Sequence, residues 1–207
     1  MIFETVVVGP MQVNCYVLAS EPNSKCIIID PGAEERKIRK VMEKHKLIPE
    51  CVINTHGHFD HIGCDDAFGV PVYVHEKDLP MLEEPKLNMS GFFSLPYRVS
   101  SSIRVLQDKD RIKTQSLELE VIHVPGHTRG GIALLVKKPE SDILITGDSL
   151  FYQGIGRSDL EGGDEGQLIR SIREKLISLP DETKVYPGHG PSSTIGQERL
   201  SNPYLGQ

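Results

Sequence analysis

Short runs of β-branched and other apolar residues dominate the first third of the chain, and this pattern predicts β-strands. The predicted strands cover residues 3–8, 13–19, 26–29 and 51–53. Between the third and fourth of them, Ile38, Val41 and Met42 recur at near-helical spacing among charged residues. This spacing predicts an amphipathic surface helix over residues 33–46. The chain therefore opens with three strands, a helix and a further strand.

The rest of the chain continues this alternation of strands and helices. Further strands are predicted at residues 70–75, 103–106, 117–124, 132–136, 143–146 and 184–186, and helices at residues 76–82 and 164–179. In the longer helix, Leu168, Ile172 and Leu176 lie on one apolar stripe. Strand runs followed by a helix in both halves predict an α/β sandwich of two packed sheets with helices on the outer faces. A length of 207 residues favours a single domain spanning the whole chain, residues 1–207.

Residues 83–102 show neither a helical nor a strand period, although they contain Phe92, Phe93 and Tyr97. Long loops inside a domain often carry function. We therefore consider two interpretations, a cover over core surface and one wall of a substrate pocket. The second makes the three aromatic side chains candidate contacts for a substrate.

Composition narrows the classes of partner. The chain has 23 Lys and Arg against 29 Asp and Glu, for a formal charge of -6, and no dense basic block that would bind a phosphate backbone. Its N-terminus lacks a basic signal region, and no apolar stretch approaches the roughly 18 residues of a membrane span. The four cysteines never fall at C-x-x-C spacing, which predicts buried free thiols. We expect a cytoplasmic protein that binds neither nucleic acid nor membranes.

The stretch T-H-G-H-F-D-H, residues 55–61, crowds metal-binding side chains together directly after a predicted strand. In a helix, His56 and His58 would point about 200° apart, whereas an extended segment places them on one side. The stretch is therefore a loop or a strand end, and both imidazoles can reach one cation. Asp60 and His61, one turn further on, can face a neighbouring position.

Three further donors follow strand-like runs, each beside a glycine that lets the backbone turn sharply: His127, Asp148 and His189. Seven donors make two sites of about three ligands each if Asp148 bridges them, since a carboxylate can span metals about 3.5 to 4 Å apart. A lone histidine after a strand is more often hydrogen-bonded or solvated. His45, His75 and His123 keep that interpretation.

The motif His56-x-His58-x-Asp60-His61, together with the later glycine-flanked donors, resembles the metallo-β-lactamase superfamily. The similarity includes Asp30-Pro31-Gly32 after the third strand and runs essentially from end to end. It implies an αββα sandwich of two mixed sheets with metals at one edge. It also implies the ligand groups. One metal would be held by His56, His58 and His127, and the other by Asp60, His61 and His189, with Asp148 between them.

Within the superfamily, the segment Gly154 to Asp164 is similar to the G-R-[ST]-D segment of glyoxalase II (hydroxyacylglutathione hydrolase) relatives and persulfide dioxygenases. Arg157 and Asp159 in this segment form either a structural ion pair or a substrate contact. Full-length glyoxalase II carries a further C-terminal helical region that binds glutathione. Here about 18 residues follow His189, so this is a short form and glutathione recognition stays open.

The resemblance favours a thioesterase in which a hydroxide bridging two zinc ions attacks the acyl carbon, with iron or manganese as alternative metals. Asp60 would orient the hydroxide as well as bind metal. Asp30 either accepts a ring N–H from a ligand histidine or caps the Pro-Gly turn. The expected partner is a small-molecule thioester, which can be glutathione-linked; its acyl and thiol parts are not specified.

The first alternative is a persulfide dioxygenase with one iron held by two histidines and Asp148, a donor set that suits non-haem iron. Less favoured are a β-lactamase and a nuclease, since a nuclease of this superfamily usually carries an added nucleic-acid-binding region. A non-catalytic, metal-stabilised binding module is the alternative from another class. The sequence does not specify an oligomeric state.

Overall fold

The computed structural model describes residues 1–138 and 142–206 and contains two six-stranded sheets. The strands of the first sheet lie side by side in sequence order: β1 (Ile2–Val8), β2 (Val13–Ala19), β3 (Lys25–Ile29), β4 (Ile48–Ile53), β5 (Val72–His75) and β6 (Ile103–Leu106). Strands β1 to β3 are antiparallel, whereas β3 to β6 run parallel. The first sheet is therefore mixed.

The second sheet is built from the later part of the chain. Its strands are β7 (Arg111–Thr114), β8 (Leu117–His123), β9 (Ile132–Lys138), β10 (Ile143–Gly147), β13 (Lys184–Pro187) and β14 (Ser193–Thr194). A separate two-stranded ribbon, β11 (Leu150–Phe151) with β12 (Gly154–Ile155), follows β10. Strands β10 and β13 run parallel and the other neighbouring pairs run antiparallel, so this sheet is also mixed.

Five α-helices accompany the sheets: α1 (Glu35–His45), α2 (Phe59–Ile62), α3 (Leu79–Glu83), α4 (Glu165–Lys175) and α5 (Ile195–Ser201). Single 3₁₀ turns lie at Asp65–Phe68, Glu76–Asp78 and Ser90–Phe93. Within the residues described, none of these helices has the length and apolar character needed to cross a bilayer.

The core consists of three apolar layers. Strand β2 is buried along its whole length because its two faces enter different layers. Tyr16 and Leu18 pack between the two sheets, while Cys15 and Val17 face the outer layer that contains Ile38 of α1. On the far side, α4 and α5 cover the second sheet with residues such as Leu168, Ile172 and Ile195. This arrangement confirms the predicted sandwich of two mixed sheets with helices on the outer faces.

The observed elements differ from the predicted ones mainly where polar residues alternate or prolines intervene. The predicted helix 76–82 is split into a 3₁₀ turn and α3, which carries Pro80 in its first turn. The strand predicted from residue 70 begins at Val72, after Pro71. Strand β7 was missed because charged residues flank Ile112, its one large apolar side chain.

The four cysteines are free thiols, as predicted; Cys15, Cys26 and Cys51 are buried, whereas Cys64 is only partly buried. Burial raises the pKa of Cys26 and of Cys51 to about 12, so both stay protonated at neutral pH. A protonated thiol is a poor nucleophile and a poor metal ligand. These side chains therefore serve the core and not the donor cluster.

Candidate metal centre

The seven predicted donors come together where strands of both sheets end. His56 and His58 follow β4 of the first sheet, and His127, Asp148 and His189 follow β8, β10 and β13 of the second. Asp60 and His61 lie in the single-turn helix α2. His58 itself is extended, with φ -70° and ψ 146°, as the alternating spacing of the two histidines requires.

The first donor group consists of His56, His58 and His127, whose ligand atoms all lie within 4.8 Å of one another. His58 Nδ1 lies 3.0 Å from His127 Nε2. The three side chains are buried. The group is therefore compact enough to enclose one ion.

Asp60, His61 and His189 form the second group. His61 Nε2 lies 3.4 Å from His189 Nε2, and His189 Nε2 lies 3.4 Å from Asp60 Oδ2. His61 is fully buried, whereas Asp60 and His189 are partly exposed. This side of the centre therefore faces solvent more than the first group does.

Asp148 lies between the two groups and contacts both with its carboxylate. Its Oδ2 is 3.7 Å from His127 Nε2 and 3.5 Å from His189 Nε2, and its Oδ1 is 3.5 Å from His61 Nε2. Oδ2 thus lies against a histidine of each group, and Oδ1 lies against the second group. This placement matches the bridging position that the resemblance implies for Asp148.

Contacts behind the imidazoles set which ring nitrogen faces the centre. His127 Nδ1 donates to the carbonyl of Arg157 at 2.6 Å, and His189 Nδ1 donates to the carbonyl of Met11 at 2.9 Å. His61 Nδ1 lies 3.0 Å from Asp30 Oδ2. Each contact engages Nδ1 and leaves Nε2 directed inward, the arrangement by which outer contacts orient metal-binding histidines.

The polar atoms at the centre lack partners that would satisfy them. His56 Nε2 and Asp148 Oδ1 are buried and have no hydrogen-bond partner. Buried polar atoms without partners are costly, and the ring nitrogens of His58 and His127 also lie close together, 3.0 Å apart. Divalent cations would satisfy these atoms together, and imidazole and carboxylate donors suit zinc, iron and manganese. The residues present therefore fit a pair of metal ions.

Protonation at the centre differs between the two groups. Burial lowers the pKa of His58 to about 3 and holds the pKa of His56 well below its usual range, so both are neutral and ready to bind metal. Burial opposes a charge on His61 too, but the carboxylates of Asp148, Asp60 and Asp30 raise its pKa to about 10. A cation bound there would take over the role of that proton, so metal binding releases protons.

Asp30 ties the end of β3 to the histidine loop. It is fully buried and accepts hydrogen bonds from the backbone N–H and the hydroxyl of Thr55, each at 2.7 Å. Its backbone has φ 52°, a left-handed conformation that Asp tolerates. Two residues later, a side chain at Gly32 would collide with the carbonyl of Asp60. Asp30 therefore contacts His61 and also anchors the loop that carries it.

Asp78 is a buried carboxylate that the sequence analysis did not single out. Its two oxygens accept from the N–H of Gly57 at 3.2 Å, the hydroxyl of Thr128 at 2.7 Å and the N–H of Gly130 at 2.6 Å. It thus joins the loop of His56 and His58 to the loop of His127. These partners lie 21 to 52 positions away in the chain, so no local spacing marks the residue.

Replacing Asp78 by Ala is expected to weaken metal binding by about 10- to 100-fold, the usual cost of removing a residue that orients ligands. The two loops would lose their shared anchor, and two backbone N–H groups would be left unpaired. Titration of the apoprotein with zinc against a chelating indicator measures the change. Asp108→Ala is the matched control, since Asp108 accepts from the backbone of His123 and contacts no donor loop. Equal zinc affinity for both variants would contradict the positioning role.

Arg157 and Asp159 form a bidentate ion pair at the surface, with both nitrogen–oxygen distances at 2.8 Å. The hydrogen bond from Arg157 lowers the pKa of Asp159 to about 2. Both side chains are largely exposed. The same segment supports the centre through its backbone, since the Arg157 carbonyl holds His127.

A cavity of about 230 Å³ opens onto the donors. Met11, Phe59, Phe93 and Leu160 line it together with Arg157 and several of the donor residues. The cavity therefore offers a small molecule direct access to the centre.

The three remaining histidines lie outside the centre. His45 contacts Glu4, and His75 stacks on His123 with ring centroids 4.0 Å apart.

The fold and the donor set are those of a metal-binding hydrolase class. A profile of the "Metallo-beta-lactamase superfamily" matches residues 8–189, and the chain belongs to that superfamily. This result confirms the predicted family.

Individual relatives resemble the chain over almost its whole length. It is 34% identical over 212 residues to the hydroxyacylglutathione hydrolase GloC of Haemophilus influenzae, covering 99% of this chain and 98% of the relative. The crystal structure of the BLEG-1 B3 metallo-beta-lactamase superposes with a TM-score of 0.91, at 38% identity and with 99% of each chain covered. The structure of TTHA1623 in a di-iron-bound form gives a TM-score of 0.84 at 36% identity, covering 98% of this chain and 100% of the other.

Proposed function

We propose that the chain is a binuclear metallohydrolase that cleaves small-molecule thioesters. The observation that carries this proposal is the pair of donor groups, with the carboxylate of Asp148 lying within 3.7 Å of histidines of both groups. The likeness to GloC supports the substrate class, because this relative is named a hydroxyacylglutathione hydrolase and has nearly the same length.

Two divalent cations at such a centre lower the pKa of a bound water to about 7 and polarise a carbonyl oxygen. The chain's own residues would position the reactants. Asp60 is partly exposed and lines the cavity, where its carboxylate can hold a hydrogen bond from water. Burial opposes ionisation of Asp60, but the charge of His61 and contact with His189 hold its pKa well below the usual range. Asp60 therefore remains an acceptor at neutral pH.

The leaving group favours a thioester over an amide. A thiol has a pKa near 8.5, so a thiolate leaves without a proton donor, whereas an amine needs one. In hydrolysis the carbon–sulfur bond breaks, a carbon–oxygen bond to water forms, and the thiolate takes up a proton. The expected partners remain small thioesters in the cytoplasm, with neither nucleic acid nor a membrane required.

The test is hydrolysis of S-D-lactoylglutathione and of simple acyl thioesters by the zinc-loaded protein, with metal content measured in parallel. We expect about two metal ions per chain and turnover well above that of the Asp60→Ala variant. Absence of turnover above that control for every thioester would contradict the proposal.

Two other activities have a specific observation in their favour and belong in the same assay. The likeness to the BLEG-1 B3 metallo-beta-lactamase favours a trial of β-lactam hydrolysis. The di-iron form of TTHA1623 favours iron as a metal for this donor set, and two histidines with Asp148 could hold the single iron of a persulfide dioxygenase. Oxygen uptake on glutathione persulfide by the iron-loaded protein, with one iron per chain, would establish the dioxygenase in place of the thioesterase.

A further inference from the structure

A second and larger cavity, of about 790 Å³, lies beside the metal centre. It is open to solvent on one side and is lined by the turn between β1 and β2, by the residues after β3, by α2 and by residues 93–97. Residues 93–97 belong to the aromatic loop, residues 83–102. The larger cavity shares Met11, Phe59, Asp60 and Phe93 with the cavity that opens onto the donors. The two cavities are therefore neighbours, and these four residues form the wall that they share.

The lining of the larger cavity is apolar. Val8, Val13, Ala33 and Leu95 face it together with the aromatic rings. Of its lining residues, all within the described part of the chain, Asp60 carries the only charge. The hydroxyl of Tyr97 lies 3.3 Å from the carboxylate of Asp66, away from the cavity lining, so this residue offers mainly its ring.

These properties do not match a polar substrate group. Glutathione carries two carboxylates and an ammonium group, and a lactoyl group is small and bears a hydroxyl, so neither gains from an apolar chamber. Sites of roughly 300 to 1,000 Å³ hold whole small molecules. In a thioester of a polar thiol, the acyl chain is the half that would gain from apolar burial. Its carbonyl must also lie beside the donors, which the shared wall permits.

We propose that this cavity binds the apolar acyl chain of the substrate, so that the preferred substrates are thioesters of medium-length fatty acyl groups. This inference rests on the proposed thioesterase activity and adds its specificity. Phe93 and Phe59, whose ring centroids are 4.8 Å apart, lie on the wall that both cavities share, where the first carbons of the chain would pass. Leu95 would contact carbons further along.

The first test varies the acyl chain on one neutral thiol, N-acetylcysteamine, from acetyl to decanoyl. Burial of a methylene group contributes about 0.8 kcal/mol, so kcat/KM is expected to rise about fourfold per added methylene until the chain fills the cavity. A value of kcat/KM that is unchanged along the series, with acetyl and octanoyl thioesters cleaved alike, would overturn the proposal and leave the thioesterase intact.

A matched pair of variants localises the effect. Leu95 lines the cavity and Phe92 lies outside it, although both belong to the same loop and both are 67% exposed. Leu95→Glu should lower the octanoyl-to-acetyl ratio of kcat/KM at least tenfold, because the chain would meet a charge. Phe92→Glu should keep the wild-type ratio. Equal ratios in the two variants would place the chain elsewhere.

Binding of inert analogues separates this inference from the proposed chemistry. S-alkyl thioethers of N-acetylcysteamine carry the chain but no scissile carbonyl, and calorimetry gives their Kd for the metal-loaded protein. A Kd that falls about fourfold per methylene in the wild type and in Phe92→Glu, but not in Leu95→Glu, supports the cavity even if no thioester is cleaved. If the Kd of the thioethers does not change with chain length, the proposed acyl-binding role of the cavity is overturned, whatever the hydrolysis assay shows.

Instead of a substrate, a second copy of this chain could cover the apolar lining of the larger cavity. Sedimentation of the wild type and of Leu95→Glu tests it. A dimer that Leu95→Glu dissociates would show that a neighbouring copy covers the cavity and would overturn the proposal. A monomer, or a dimer that Leu95→Glu leaves intact, keeps the cavity open to a substrate.

Discussion

Replacing Asp148 by Ala is expected to reduce bound zinc from about two ions per chain to one or fewer and to abolish most thioester hydrolysis. Asp148 is the side chain that lies against both donor groups, within 3.5 to 3.7 Å of His61, His127 and His189. Loss of a residue that merely orients ligands costs about 10- to 100-fold in metal affinity or activity. Loss of a direct donor shared by two ions should cost more than that.

Metal analysis of the purified variant, together with kcat/KM on an acyl thioester, measures this effect. Asp142→Ala is the matched control, because Asp142 lies at the other end of the same strand and pairs with Lys184 at the surface. Asp148→Asn adds a second comparison, since an amide keeps the shape but has one oxygen and no charge. Two zinc ions per chain in Asp148→Ala, with hydrolysis near the wild-type rate, would rule out a bridging role.

The same variant separates metal binding from folding. In the metal-free protein the carboxylate of Asp148 raises the pKa of His61 from 3.5 Å away, but its Oδ1 is also a buried oxygen without a hydrogen-bond partner. These two effects oppose each other, so removal of Asp148 should change the melting temperature of the apoprotein little. Zinc should raise the melting temperature of the wild type and raise that of Asp148→Ala much less, because a ligand stabilises only the state that binds it. A variant that is already unstable without zinc would indicate a structural role instead.

Most strands and the two long helices follow from local patterns, and the reason is visible in β2. Its alternating side chains enter two different apolar layers, so every residue of the segment except Asn14 is hydrophobic and the strand is easily recognised. Strand β14 and helix α5 give weaker signals. Helix α5 is only seven residues long and its Leu200 is exposed, so its apolar spacing is short and incomplete.

Five of the seven candidate donors could be placed from the sequence because each follows a recognisable strand, whereas Asp60 and His61 lie in helix α2. His127, Asp148 and His189 all follow apolar runs, and strands of one sheet bring such ends together. The groups that orient them were not predictable in the same way. The carbonyls of Met11 and Arg157 hold two of the histidines, and every residue has a carbonyl, so no side-chain pattern encodes that contact.

Asp78 and the aromatic loop are two further features whose contacts could not be predicted from the sequence. Asp78 acts on residues far along the chain, and its importance appears only when the two donor loops meet. In the aromatic loop, Phe93 and Tyr97 line the larger cavity, whereas Phe92 is exposed and does not line it. The sequence marks the loop as aromatic, but the backbone path decides which ring faces inward. The role of this loop in substrate binding stays a prediction.

Replacing Asp60 by Asn is expected to lower kcat by about 100- to 10,000-fold, the range for a group that handles a proton, with a smaller change in KM. An amide of the same shape cannot accept a proton, whereas the low pKa of Asp60 keeps its carboxylate charged. Asp159→Asn is the comparison, because that carboxylate is 68% exposed and paired with Arg157. For this surface ion pair we expect less than about a threefold effect on kcat.

Zinc content must be measured with the rates, since Asp60 also belongs to the second donor group. Full zinc occupancy with slow turnover assigns Asp60 to proton handling, loss of one ion assigns it to metal binding, and wild-type kcat with two ions would exclude both roles.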